Sequence, residues 1–119
     1  MKDYYLLNKK KIEYKSILKE LTNVETEYYT IYDAWIENGS VYIHGTIKAN
    51  VNGEKYYNLL PNKYSPREII YASYGCSNSI DNITRIGYIR IESNGQLSLW
   101  LQNANAREHF TFVYPLKVQ

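Results

Sequence analysis

"RIGYIRIESNGQLSLWL", residues 85–101, holds Ile89 and Ile91 before an Asn-Gly pair and Leu97, Leu99 and Leu101 after it. An apolar residue at every second position is the period of a strand with one buried face. Asn94-Gly95 tolerates the positive φ that a two-residue type I′ turn requires, so the stretch reads as an antiparallel hairpin. Its core side takes Gly87, Ile89, Ile91 and the three leucines. Ile86, Tyr88, Arg90, Ser98 and Trp100 are left on the opposite side.

The same period runs outward on both flanks. "YYTIYDAWI" (28–36) and "SVYIHGTIKANV" (40–51) are separated by Asn38-Gly39, and "VNGEKYYNLL" (51–60) carries a further Asn-Gly at 52–53. "EIIYASY" (68–74) and "HFTFVYPLKV" (109–118) bring the total to about seven strands, which at this length predicts an all-β antiparallel sandwich or jelly-roll-like head. In 40–48, Val41, Ile43 and Ile47 share the core side and Tyr42, His44 and Thr46 the other. Trp35 alternates with Ile31 and Asp33, so core packing is its default.

"NLLPNKYSPREII" (58–70) interrupts the pattern with Pro61 and Pro66. Proline lacks an amide hydrogen and fixes φ, so neither residue fits a central strand, and the residue before each is held extended. The segment reads as a stiff, extended crossover that changes sheets without adding a strand, with Leu60 docked in the core.

Ahead of the strands the period changes. Leu7, Tyr14, Ile17, Leu21 and Val24 fall on a and d positions of a heptad, Asn8 is a candidate cap, and "KKKIEYKSILKEL" contains no Gly or Pro. The pattern predicts a short N-terminal helix within residues 1–26, ahead of a head domain over 27–119. Two readings stand: an amphipathic helix packed on the domain, and a coiled-coil stalk whose oligomer interface is Tyr14, Ile17, Leu21 and Val24.

The 119 residues suit one domain plus an appendage, and 45% hydrophobic content, with fourteen tyrosines, supports a real core. The net charge of +2 is unevenly spread. Residues 1–20 hold six lysines against three carboxylates, whereas the remainder holds eight basic and nine acidic side chains. A head so close to neutral offers no basic patch for phosphates, so nucleic acid is not an expected partner. No apolar run approaches a membrane span, and "YYLL" near the start is too short for a signal peptide. The single cysteine, Cys76, excludes an internal disulfide and a multi-cysteine zinc site, and reads as a free thiol.

The order of "VYIHGTIKANV", a hairpin, "LLPNKYSPREII", "RIGYIRIESNGQLSLWL" and "FTFVYPL" resembles the C-terminal head domain of bacteriophage tail and baseplate receptor-binding proteins from phages of Gram-positive hosts. Gly45 matches the glycine of a v-x-G-x-v strand there, Leu60, Pro61 and Pro66 the crossover, and Ile89, Ile91 and Gly95 the hairpin. Tyr114 stands in the closing aromatic strand. The resemblance covers residues 34–116. It implies a homotrimer in the virion at the tail tip or baseplate, made in the bacterial cytoplasm. It also implies other tail and baseplate proteins and a host cell-wall saccharide as partners.

Catalysis finds little support. His44 and His109 lack metal-ligand spacing, Asp33 and Glu37 sit four apart on a strand and turn, and nothing near Cys76 activates it. No enzyme activity, metal or cofactor is expected. Binding is better supported, because Tyr42, His44, Tyr88, Arg90 and Trp100 are expected on the non-core side of three neighbouring strands of one sheet. Tyrosine, tryptophan and arginine concentrate in recognition surfaces. Two explanations compete. These residues bury area between subunits, or their rings stack on sugar C–H faces while Arg90 and His44 bond hydroxyls or phosphate. The amide-rich loop Gln102–Arg107 suits polyols as well. The expected function is a saccharide-binding phage head, with a structural tail component and a monomeric carbohydrate-binding module as alternatives.

Overall fold

The computed structural model describes residues 14–75, 86–102 and 108–117. Among them run nine strands: β1 Tyr14–Ser16, β2 Tyr29–Glu37, β3 Ser40–Ile47, β4 Val51–Asn58, β5 Ile70–Tyr71, β6 Ser73–Gly75, β7 Ile86–Ile91, β8 Gln96–Gln102 and β9 His109–Pro115. They form two sheets, one ordered β1-β2-β3-β9-β6 and the other β4-β8-β7-β5. Every pairing is antiparallel, and the described residues are mostly strand, consistent with the all-β fold that the hairpin signals predict. Val41, Ile43, Ile47, Phe110, Phe112 and Tyr114 from the five-stranded sheet share one core with Ile89, Ile91, Leu97, Leu99 and Leu101 from the four-stranded sheet.

The three Asn-Gly pairs take three different forms. Asn38-Gly39, with φ of 54° and 78°, is a two-residue turn between the paired Glu37 and Ser40. At Asn94-Gly95 the loop is three residues long: Glu92 N–H bonds Gln96 O at 2.8 Å, and Gly95 alone takes positive φ, at 90°. Asn52-Gly53 is not a hairpin turn. The chain has already left the five-stranded sheet at residues 48–50, and Asn52-Gly53 lies inside β4, between Val51 paired with Leu101 and Lys55 paired with Leu99. Three residues there oppose Trp100 alone. The positive φ of Gly53, 74°, serves a bulge instead of a turn.

Gly45 has a packing role. A Cβ on it would lie 2.3 Å from Cζ of Phe110, its partner on β9, so only glycine leaves room for that buried ring.

The N-terminal expectation is corrected over its described part; residues 1–13 lie outside it. Tyr14–Ser16 pairs with β2, and one 3-10 turn, Leu18–Glu20, follows. Ile17 is fully buried and Leu21 nearly so, both in this chain's own core, while Val24 packs against it. Tyr14 is exposed and stacks on Trp35. The spacing that read as a heptad is met by a short turn between two inward residues. β2 also gives the segment an edge to pair with, and beside that pairing the Ile17 amide bonds Ala34 O at 2.9 Å. Residues 14–26 belong to the two-sheet body, so a helical seam of Tyr14, Ile17, Leu21 and Val24 is not the geometry of this segment.

The crossover stays out of both ladders, as two prolines dictate, and Leu59 and Leu60 are buried. Two details differ from expectation. Asn62–Tyr64 is a 3-10 turn, so the segment is not extended throughout. It also joins β4 to β5, the two edges of the same sheet, and does not change sheets. The other sheet holds it on the way: the Tyr114 hydroxyl donates to Tyr64 O at 2.5 Å. The Tyr64 hydroxyl donates to Glu20 at 2.9 Å and accepts from Lys15 Nζ at 3.1 Å, and Lys63 pairs with Glu20 at 3.1 Å.

Three outcomes follow for chemical unfolding. Ile17→Ala should lower stability by about 2–5 kcal/mol, as a core truncation does, without changing the oligomeric mass. Gly45→Ala should cost about 1–3 kcal/mol by overpacking against Phe110. The Tyr64 hydroxyl and then Lys63 hold the Glu20 carboxyl below its ordinary value of 4.5. A carboxylate depressed in the folded state stabilises above its unfolded pKa, and the benefit disappears as pH falls through the folded one. The stability gap between the natural protein and Glu20→Gln should therefore be present at neutral pH and close in acid.

Candidate functional site

Leu97, Leu99 and Leu101 of β8 point inward, so Ser98 and Trp100 point out; Ile89 and Ile91 of β7 do the same for Tyr88 and Arg90. Cross-strand register sets these residues in rows on the outer face of the four-stranded sheet. Tyr56, Ser98, Arg90 and Tyr71 lie side by side across all four strands. Trp100 and Tyr88 form the next row, and Asn58, Gln96 and Glu92 the row on the other side.

Arg90 organises this face. Its Nε donates to Glu92 Oε2 at 2.8 Å and to Ser98 Oγ at 2.9 Å, its Nη1 to the Tyr71 hydroxyl at 3.3 Å, and its Nη2 to Glu54 Oε2 at 3.4 Å. The guanidinium lies over the Tyr88 ring, 4.4 Å from its centroid, a cation–π contact. Tyr88 meets Tyr71 and Trp100 edge-on at 6.1 and 6.4 Å. Glu54 sits within the bulge opposite Trp100, and the Tyr56 hydroxyl donates to its Oε1, which raises the pKa of that hydroxyl. The Gln96 amide donates to Asn58 Oδ1 at 3.1 Å. Gly87, at φ of 123°, lets the backbone close against Trp100, since a Cβ there would lie 1.8 Å from Trp100 O.

The outer face of the five-stranded sheet carries a second aromatic group. Trp35 is sandwiched: Tyr42 stacks on it at 5.0 Å and 5° between planes, and Tyr14 at 6.2 Å and 30°. His44 meets Trp35 edge-on at 5.0 Å, and Tyr32 bridges His44 and His109 at 6.0 and 6.2 Å. Trp35 Nε1 donates to Glu37 at 3.2 Å. Core packing, the default for Trp35, is not what occurs. Tyr32 is an extra residue between the pairs Ile31–Gly45 and Asp33–His44, and this bulge reverses the parity, so that Ala34 is buried and Trp35 faces out.

Tyr42, His44, Tyr88, Arg90 and Trp100 all lie on outer faces, but not on one sheet. Tyr42 and His44 belong to the five-stranded sheet, the other three to the four-stranded sheet, because the chain changes sheets at residues 48–50, ahead of Asn52-Gly53 where a hairpin was expected. Sequence reasoning missed Tyr71, Tyr56, Glu54 and Glu92 around Arg90, and Trp35, Tyr32 and His109 around His44. Alternation against Leu97 and Ile91 would have put Tyr56 and Tyr71 outward, but their register was not legible. Among the described residues no three His, Cys, Asp or Glu side chains form a metal-binding group. Cys76 and residues 103–107 lie outside the described residues.

Replacing Arg90 should leave two carboxylates facing each other. Arg90→Ala is expected to lower stability by about 1–3 kcal/mol. The loss should shrink in a Glu92→Gln background, and a double-mutant cycle on denaturant unfolding reads the coupling.

Comparison of the chain with protein-family models, curated proteins and solved structures finds no match.

Proposed function

We propose that this chain is the β-sandwich head of a phage tail or baseplate receptor-binding protein, that it recognises a host cell-surface saccharide, and that it acts as a trimer in the virion. Binding, not catalysis, is the activity. The observation that carries the reading is the outer face of the four-stranded sheet, where Trp100, Tyr88 and Tyr71 lie between a bulge and a row of amide and carboxylate groups, Asn58, Gln96 and Glu92. Aromatic rings cover the C–H faces of a pyranose, and amides and carboxylates take its hydroxyls. Both kinds of group on one face suit a sugar better than either alone.

The five-stranded face suits a different task. Both faces of the Trp35 indole are covered, by Tyr14 and Tyr42, so no free indole face is left for a sugar. Exposed Tyr14, Tyr32 and Val113 give it instead an apolar surface suited to burial against a neighbouring copy or another tail protein. That observation also favours a second reading, a structural tail or baseplate component.

Labelled protein should bind purified cell-wall polysaccharide from a susceptible host, and Trp100→Ala should weaken binding about tenfold or more with the fold intact by circular dichroism. Undiminished binding by Trp100→Ala would remove the face from the account. Light scattering should give about three times the 14.0 kDa chain mass, whereas a monomer would rule out the trimer.

A further inference from the structure

We infer that the outer face of the four-stranded sheet selects a saccharide bearing a free, cationic amino group and rejects phosphate- or carboxylate-bearing glycans. The inference rests on the reading of that face as saccharide-binding and adds its charge preference. An arginine between tyrosines ordinarily suggests an anion site. Here three of the five guanidinium N–H groups already have partners, and two of those partners are carboxylates. Its Nε serves Glu92 and Ser98, Nη1 the Tyr71 hydroxyl and Nη2 Glu54, while the Tyr88 ring covers its face. A phosphate that reached the remaining Nη hydrogens would lie beside two carboxylates, Glu54 and Glu92, which repel it.

What remains available is acceptor capacity. Among the described residues Arg90 is the only basic side chain in the rows, set against Glu54 and Glu92, so the cluster holds one positive and two negative charges. Arg90 opposes a ligand cation, but one carboxylate compensates it at contact and the second is left over. Glu92 Oε1 accepts no hydrogen bond from the described residues, and the Glu54 and Glu92 side chains are 32% and 22% exposed, within reach of a ligand. The exposed rings of Tyr56 and Tyr71 flank the pair, and an ammonium is attracted both to carboxylates and to tyrosine faces. Trp100 in the next row, with Tyr88 edge-on to it, supplies the platform for the sugar ring. A hexosamine without its N-acetyl group meets both demands at once.

Three probes test this on the full chain by titration calorimetry: glucosamine oligomers, fully N-acetylated oligomers of the same length, and an anionic polymer, polyglycerol phosphate. The expected result is binding of the glucosamine oligomers at least tenfold tighter than the acetylated ones and none of the polyglycerol phosphate. Affinity for the amino oligomers should fall with added salt and drop severalfold in Glu92→Gln and in Glu54→Gln, each checked for folding. Trp100→Ala should weaken it too. Equal or tighter Trp100-dependent binding of acetylated or phosphate-bearing probes would overturn the charge preference and leave the saccharide face standing. Amino-oligomer binding indifferent to Trp100→Ala, Glu54→Gln and Glu92→Gln would overturn it as well. Absence of Trp100-dependent binding to all three probes and to cell-wall polysaccharide would overturn the face and the preference together. Should either carboxylate variant fail to fold, the ranking of the probes on the natural chain decides the matter.

Discussion

Successive side chains of a strand leave on opposite faces, and the alternating leucines and isoleucines of β7 and β8 make that rule binding. Leu97, Leu99, Leu101, Ile89 and Ile91 are all buried, and shifting either strand by one residue would carry them into solvent and Trp100, Tyr88 and Arg90 into the core. Burial of these five residues is thus what holds the outer face in place. Arg90 depends on the same register, because only with Tyr56, Ser98 and Tyr71 in its row does it find its partners.

Two bulges modify the rule, and each lies beside an aromatic cluster. At Tyr32 one extra residue reverses the parity of β2 and brings Trp35 out to meet Tyr42 and His44. At residues 52–54, three residues oppose Trp100 and the irregularity carries Glu54 to Arg90. Bulges re-aim side chains, and these two account for much of what sequence reasoning missed. Alternation within β3, β7 and β8 was legible from the recurring Val, Ile and Leu, although Gly87, read with the core side, is exposed. The sheet change at 48–50 was not, because Asn-Gly signals positive φ and does not say whether a turn or a bulge uses it. Hence the five expected residues lie outward but divide between two sheets.

The N-terminal segment carries the same lesson from another side. A spacing of three and four residues between Ile17, Leu21 and Val24 suits a helix in isolation, but a β2 edge to pair with and an open core recruit the segment as a short strand and turn. Tertiary burial overrides local propensity there. The prolines of the crossover behaved as their chemistry requires. Where the crossover leads was set by contacts far away in sequence: Tyr64 joins Lys15, Glu20 and Tyr114, and so ties both sheets to the N-terminal segment. Tyr64 lies 49, 44 and 50 positions from Lys15, Glu20 and Tyr114, separations that no local pattern announces.

The most direct measurement is the fluorescence of Trp100 alone, in a Trp35→Phe variant that keeps an aromatic ring between Tyr14 and Tyr42. With Trp100 partly exposed on an outer face, emission should lie to the red of a core tryptophan's, acrylamide should quench it, and a bound saccharide should shift it and protect it. Blue-shifted emission that resists acrylamide would mean that Trp100 lies among the leucines of β8, and the outer face built on its register would fall with it.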